Sequence, residues 1–250
     1  MLLEPTLTHR AEGGHRIPLL VWRLPEPVRA ISSAVLGGGI GECRWLVNAS
    51  VPMSYDRDDP AAHLAEIARG LGLDGPGIGL LTGVDVADVT GAEDGGVRLW
   101  ATVGLGAPIQ AADPEHDADE PHRPGTVNIV AWVPRRLSDG ALVNAVATIT
   151  EAKTQAIRDL GLAATGTATD AICVLCPRDS AQDGPQDSAE AAHGAEAAYD
   201  TEAAYGGPRS RWGRPLARAG YRAVLAGGRV NLTGTQSWSE RNAARLDHAQ

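Results

Sequence analysis

Two segments of this 250-residue chain follow the same order of patterns, and this repetition limits the folds open to it. In each segment an apolar β-type run ends in Val-Pro, at Pro52 and at Pro134, and a helical pattern follows. A Thr-x-x-Asp loop then begins at Thr82, 30 residues after the first proline, and at Thr167, 33 residues after the second. The pattern predicts a duplicated strand-helix-strand-strand unit, paired about an approximate twofold axis. Chance similarity between two αβ segments is the alternative.

The predicted fold class is α/β or α+β: one compact unit of two similar β-α-β-β halves around a mixed sheet, with helices packed on the sheet. We expect these divisions: an N-terminal segment at 1–27, a domain at 28–228 with halves at 28–112 and 125–177, a flexible excursion at 178–207, a closing helix at 212–225 and a loose tail at 229–250. The excursion is rich in Ala, Asp, Glu, Ser and Gln, a composition that buries little apolar surface.

Glycine-rich stretches are predicted to be turns. GGGIGEC, from Gly37, is followed by a β-type run and not by a helix, which argues against a dinucleotide or phosphate loop. GAEDGG, from Gly91, separates two further strand patterns. The longest helix is predicted at 141–160, with Ser138 or Asp139 as its N-cap and Gly161 at its end.

Charge and hydropathy exclude several classes of protein. The 22 basic and 31 acidic residues give a formal charge of −9, so no nucleic-acid partner is expected. No apolar run approaches the roughly 18 to 20 residues of a membrane-spanning helix. The N-terminus also lacks the basic and apolar regions of a signal peptide. We therefore expect a cytoplasmic protein without membrane partners, and homo-oligomerisation stays open.

No metal or cofactor site is predicted. Cys173 and Cys176 form a C-x-x-C within an apolar strand-like run, where this spacing places the two side chains on opposite faces. Buried strand cysteines are therefore expected rather than a metal or redox pair. His116 and His122 lie among carboxylates in the acidic stretch 113–124. A solvated connector is expected there, with a metal site as the alternative.

The only lysine of the chain, Lys153, is predicted to face inward. It is four residues after Ile149 and seven before Leu160, in the middle of the apolar face of the longest helix. A buried ammonium costs several kcal/mol unless it is paired or deprotonated. We predict that it stabilises an oxyanion or carboxylate or activates a hydroxyl. The alternatives are a structural ion pair and a side chain that extends past a loop to solvent.

The partner of Lys153 is expected in GTATD, which spans 166–170. Its small and hydroxyl residues bring N–H and hydroxyl groups close to a ligand, and Asp170 adds a carboxylate where the loop enters a strand. An Asx or Ser/Thr turn that only starts the strand is the alternative. Asn48 and Asn128 precede the two Val-Pro ends by an even number of residues and so face the same way. Their amides either tie loops together or bind a substrate amide.

Several motifs resemble the adenosylcobinamide amidohydrolase family of corrinoid salvage. They are ISSAVLGGGIGECRWLVNASVP from Ile31, GTVNIVAWV from Gly125, LSDGAL from Leu137, TEAKTQAIRDLG from Thr150, ATGTATDAICVLCP from Ala164 and YGGPRSRWGRPLARAGYRAVLAGG from Tyr205. The resemblance runs from about residue 28 to 228, and 125–177 is its most specific part. The family usually has GTGTD where this chain has Ala168 in GTATD.

The resemblance implies hydrolysis of the amide that joins the aminopropanol arm to the corrin ring, giving adenosylcobyric acid and 1-aminopropan-2-ol. A non-catalytic corrinoid-binding or transport-accessory protein is the alternative. In the predicted site Asp170 activates water or the Thr167 hydroxyl, Lys153 stabilises the oxyanion and Asn128 orients the amide. The other predicted substrate-binding residues are Asn48, Thr82, Asp85, Thr165, Gly166 and Thr169.

Overall fold

The computed structural model describes residues 4–113, 125–178 and 202–234. The α/β class is confirmed, since eight strands form one mixed sheet on which three helices pack. In chain order the elements are β1 (Thr6–Glu12), β2 (His15–Ser32), β3 (Gly39–Ser50), α1 (Pro60–Gly70), β4 (Gly77–Thr82), β5 (Thr90–Asp94), β6 (Val97–Val103), β7 (Val127–Trp132), α2 (Asp139–Asp159), β8 (Ala171–Cys176) and α3 (Gly213–Thr233).

Strand pairing repeats along the chain. β1 and β2 pair antiparallel, β2 and β3 pair antiparallel, and β3 and β4 pair parallel across α1. β5 to β8 repeat this series, with α2 between the parallel strands β7 and β8. An antiparallel pairing of β2 with β8 joins the halves. The repeating unit is therefore β-β-β-α-β.

The predicted boundary between the two halves is therefore wrong. The sequence assigned the strand Val97–Val103 to the first half, but it pairs over its whole length with β7 of the second. Thr82 ends β4, whereas Asp170 directly precedes β8. The two Thr-x-x-Asp loops therefore occupy different ends of their strands, and their similarity does not reflect an equivalent position.

The sheet curls so that its two halves face each other. β3 and β7 are separated by β2 and β8, which in a flat sheet places them about 14 Å apart. The Asn128 amide of β7 nevertheless donates to Asn48 Oδ1 of β3 at 2.9 Å. Between the halves lies an apolar layer in which Trp22 and Trp100 meet edge to face at 6.0 Å.

Each outer face of the curled sheet carries helices. α1 covers β2 and β3, burying Ile67 and Ala68 against the sheet. α2 and α3 cover the strands of the second half. The cap predicted for α2 is confirmed, since the Ser138 side chain accepts from the Ala141 N–H, and Gly161 follows the helix with φ +86°.

The N-terminal residues belong to the sheet, contrary to the predicted boundary at residue 28. β2 runs through that boundary and pairs with β1 over seven residue pairs. The first glycine-rich turn is shorter than predicted, because Gly39 already pairs with Ser32. The second is misplaced: Gly91 lies in β5, and the turn is formed by Gly95 and Gly96, both with positive φ.

The closing helix is longer than predicted and includes the start of the expected tail. Gly227 and Gly228 were expected to end the helix, but they lie inside α3. Their lack of a side chain lets the helix approach its neighbours closely. A Cβ on Gly227 would meet Val103 Cγ2 at 2.7 Å, and one on Gly228 would overlap Leu160. Gly95 and Gly96 thus mark a turn, whereas this pair marks close packing.

The last residues of the predicted excursion are packed. Ala203 donates its N–H to the Arg136 carbonyl at 2.8 Å and accepts from the Ser138 N–H at 3.0 Å. The carbonyl of Gly206 accepts from the Thr148 hydroxyl of α2 at 2.8 Å. The prediction of a flexible segment is therefore wrong for 202–207, while 179–201 lies outside the described residues.

Candidate active site

A cavity of about 370 Å³ lies where the ends of β3 and β4 meet the beginnings of β7 and β8. The curl of the sheet creates it, because β4 and β7 come together only when the halves face each other. Three predicted site residues line the cavity: Thr82 at the end of β4, Asn128 in β7 and Thr169 before β8. The other predicted site residues are not part of its lining: Lys153, Asp170, Thr167, Asn48, Thr165, Gly166 and Asp85.

Asn128 is held rigidly in the cavity wall. It is 2% exposed, and its amide nitrogen donates to Asn48 Oδ1 at 2.9 Å and to the Leu81 carbonyl at 2.8 Å. Asn48 donates in turn to Thr102 Oγ1 at 3.0 Å. Asn48 therefore ties the two halves together and fixes the orientation of the Asn128 amide.

The remaining polar atom of Asn128 lacks a partner. Its Oδ1 is buried and accepts no hydrogen bond from any residue that the structure describes. A buried acceptor without a donor costs about 1–3 kcal/mol. A ligand N–H that reached this oxygen would recover that free energy.

Lys153 and Asp170 form the predicted contact as a buried ion pair, with side chains 8% and 10% exposed. The Asp170 carboxylate also accepts from the Val127 N–H at 2.9 Å and the Thr167 N–H at 3.1 Å. The Thr167 hydroxyl lies 2.5 Å from Asp170 Oδ1. This cluster fastens α2, the start of β7 and the loop 164–170 to one another. The catalytic roles expected of its members stay predictions.

Gly166 and Thr165 hold the same loop from the other side. A Cβ on Gly166 would overlap both Asp170 and Lys153, so a larger residue there would have to displace the ion pair. Thr165 Oγ1 accepts from the Ala111 N–H at 2.9 Å. The loop then brings Thr169 to the cavity, where its hydroxyl lies 2.9 Å from that of Thr126.

Asp85 caps a short 3₁₀ turn, Val86–Asp88, with its side chain accepting from the Ala87 N–H at 2.9 Å. Thr82 Oγ1 accepts from the Val84 N–H at 3.3 Å. Only Thr82 of this Thr-x-x-Asp pair therefore faces the cavity.

The cavity rim is apolar and exposed. Val35, in the β2–β3 loop, is 61% exposed, and Met53, in the β3–α1 loop, is 47% exposed. Large aliphatic side chains at this exposure suit contact with an apolar ligand surface.

Sequence reasoning missed three connected residues, of which the first lies in the cavity lining. Tyr55 lines it, and its hydroxyl lies 3.0 Å from His63 Nδ1 of α1. His63 Nε2 lies 3.1 Å from Glu12 of β1. A signal was present, because His63 precedes Ile67 by one helical turn and thus shares the buried face of α1. Glu12 was missed because its segment was placed outside the domain.

The cysteines follow the prediction. All three are free and buried; Cys173 lies in the layer between the halves and Cys176 in the core beneath α2, on opposite faces of β8. Among the described residues no group of three His, Cys, Asp or Glu side chains is placed to hold a metal ion. His116 and His122 lie outside those residues.

No helix in the described part of the chain is long and apolar enough to cross a membrane.

Comparison with known proteins places the chain in a family. The model of the adenosylcobinamide amidohydrolase family matches residues 4–236. An adenosylcobinamide amidohydrolase of Methanosarcina mazei is 28% identical over 195 residues, which cover 78% of this chain and 88% of that protein. An uncharacterized protein of Methanocaldococcus jannaschii is 48% identical over 59 residues, 20% of this chain and 23% of that protein. Because the family model spans nearly the whole sequence, including β1, this protein belongs to the adenosylcobinamide amidohydrolase family.

Proposed function

We propose that this protein hydrolyses the amide between the aminopropanol arm and the corrin ring of adenosylcobinamide, with the cavity between the two half-sheets as its active site. The products are adenosylcobyric acid and 1-aminopropan-2-ol. The family match supports the amidohydrolase class and the corrinoid substrate. We further propose that the reaction takes place in the cytoplasm and needs no nucleotide or metal cofactor.

The observation that carries the assignment of the site is the unpartnered Oδ1 of Asn128. A secondary amide has one N–H and one carbonyl, and the N–H is the donor that this oxygen lacks. Accepting from the scissile N–H, Asn128 orients the amide, as the sequence predicted. Thr82, Thr126 and Thr169 also line the cavity, and their hydroxyls are available to the polar atoms of the arm.

The size of the cavity indicates how the substrate sits. About 370 Å³ is near the lower end of the 300–1,000 Å³ that small-molecule pockets span. This volume accommodates the amide arm and leaves the corrin macrocycle at the rim. The exposed side chains of Val35 and Met53 then pack on the macrocycle and account for part of the binding.

The function is tested by incubating the purified protein with adenosylcobinamide, without nucleotide, and following both products by mass spectrometry. We expect complete conversion to adenosylcobyric acid. Intact substrate after prolonged incubation with folded protein would refute the proposed activity.

The location of the site is tested at its rim. Met53→Glu places a charge against the apolar macrocycle and should raise KM at least tenfold while kcat stays within about threefold. Val143→Glu is the matched control, because Val143 is 57% exposed on α2 and lies outside the cavity lining. Equal KM values for the two variants would place the corrin elsewhere on the protein.

A further inference from the structure

A line of polar side chains leads from the cavity to the N-terminal hairpin. Tyr55 lines the cavity, its hydroxyl lies 3.0 Å from His63 Nδ1, and the two ring centroids are 5.6 Å apart with 19° between the ring planes. On its other side His63 contacts the Glu12 carboxylate at 3.1 and 3.2 Å. The His63 side chain is 4% exposed, so these two partners occupy both of its ring nitrogens away from solvent.

The partners fix the direction of the hydrogen bonds. Glu12 as a carboxylate only accepts, so Nε2 of the neutral ring carries the proton and donates to it. Nδ1 is then an acceptor, and the Tyr55 hydroxyl donates to it. The oxygen of Tyr55 keeps its lone pairs for a donor in the cavity.

Burial keeps His63 neutral, and the neighbouring Arg10 and His63 keep Glu12 ionised. Burial lowers the pKa of His63, opposed by the charge of Glu12 and supported by Arg57 and Arg10. Burial alone would raise the pKa of Glu12, but the hydrogen bond and charge of Arg10, together with His63, lower it overall. Arg57 also donates to Glu12, at 2.7 Å.

Burial also raises the pKa of Tyr55, with Arg57 and Arg10 lowering it and Glu12 and Asp59 raising it. Tyr55 therefore keeps its proton at neutral pH.

We propose that Tyr55 is a catalytic residue that passes a proton between the substrate and His63, and that His63 and Glu12 are positioning residues that accept and stabilise that proton. The proposal rests on the proposed amide hydrolysis in the same cavity. Residues that bind the arm, such as Asn128, orient the amide but have no group that titrates near neutral pH. The Tyr55–His63–Glu12 line supplies one.

The proton moves in two steps. As the oxygen of a water molecule bonds to the amide carbon, the water gives a proton to Tyr55 Oη, Tyr55 gives its own to His63 Nδ1, and the carbonyl electron pair moves to oxygen. When the intermediate collapses, the carbonyl re-forms and the C–N bond breaks with its pair left on nitrogen. Tyr55 then protonates that nitrogen and recovers a proton from His63. The products are a carboxylic acid and an amine, and the enzyme is unchanged.

The first test compares two tyrosines. Tyr55→Phe removes only the hydroxyl and should lower kcat by a factor of about 10²–10⁴, the range of general acid–base catalysis, while KM changes less than threefold. Tyr221→Phe is the matched control: its hydroxyl donates to Asp159 at 2.8 Å on the α3 surface, so kcat should match the wild type. Thermal unfolding checks that both variants are folded.

The second test is the pH profile of kcat/KM. In the wild type we expect an acidic limb, because protonated His63 cannot accept from Tyr55. His63→Gln keeps a donor to Glu12 but cannot take up a proton, so its residual activity should lack that limb. If His63→Gln does not fold, the profile of Tyr55→Phe decides, because it should lose the limb as well.

Three results would overturn the proposal while leaving the activity itself in place. The first is a Tyr55→Phe enzyme with at least a third of the wild-type kcat. The second is a Tyr55→Phe enzyme with a raised KM and unchanged kcat. The third is an acidic limb that is retained in the pH profile of His63→Gln or, if that variant does not fold, of Tyr55→Phe. Failure of the wild-type protein to cleave adenosylcobinamide would instead reject the proposed function. The two failures are thus distinguishable.

Discussion

Replacing Lys153 by methionine separates a structural ion pair from a catalytic lysine. Both side chains of the Lys153–Asp170 pair are about nine-tenths buried, and removing one partner of such a pair costs about 3–5 kcal/mol because the other charge is stranded. Asp170 keeps two N–H donors and the Thr167 hydroxyl, which compensate part of that loss. We therefore expect Lys153→Met to lower the free energy of unfolding by about 3 kcal/mol.

Urea unfolding followed by far-UV circular dichroism measures this change. Arg98→Met is the control, because Arg98 pairs with Glu93 and Glu4 at the surface and such pairs contribute only about 0–1 kcal/mol. A Lys153→Met protein of wild-type stability whose kcat falls about a hundredfold would refute this account. That result would restore the oxyanion role that the sequence predicted for Lys153.

Three further outcomes follow from the described packing. Gly166→Ala forces a Cβ into the buried ion pair and should lower the free energy of unfolding by about 1–3 kcal/mol. Ala168→Gly, at an exposed position of the same loop, should change it by less than about 1 kcal/mol, and urea unfolding measures both. The thiols should resist Ellman's reagent in the native protein and react fully in urea, because burial raises the pKa of Cys43 to about 12 and encloses the other two; rapid native labelling would contradict this. Because burial lowers the pKa of His63 in the folded state, the unfolded chain binds the extra proton, so stability should fall as pH drops below about 6.5, and His63→Gln should reduce that slope.

Elements with strong periodicity were predictable from the sequence. The α2 helix, its Ser138 cap and the buried strands β7 and β8 follow from apolar spacing and capping chemistry, which act over a few residues. The strands β1 and β5 were missed because none of their residues is fully buried and their side chains are largely polar, so they lack an apolar pattern. What makes them strands is pairing with β2 and β6, which a local pattern does not contain.

The curl of the sheet accounts for most of what was missed at the site. It brings β4 onto β7 and creates the cavity, so that Asn128 faces a partner on β3, although β2 and β8 lie between these two strands in sheet order. The sequence identified Asn48 and Asn128 as buried amides that needed partners, but the identity of those partners depends on the curl. Likewise the inward position of Lys153 was predictable, while its separation from the cavity was not.

The most direct test of the account is to run the reaction in H₂¹⁸O. Amide hydrolysis by an attacking water predicts adenosylcobyric acid that carries one ¹⁸O in its new carboxylate and 1-aminopropan-2-ol that carries none. The same experiment with Tyr55→Phe should give the same labelling at a rate lower by about 10²–10⁴. Cleavage without incorporation of ¹⁸O into the acid, or no cleavage by the folded wild-type protein, would contradict the central claim.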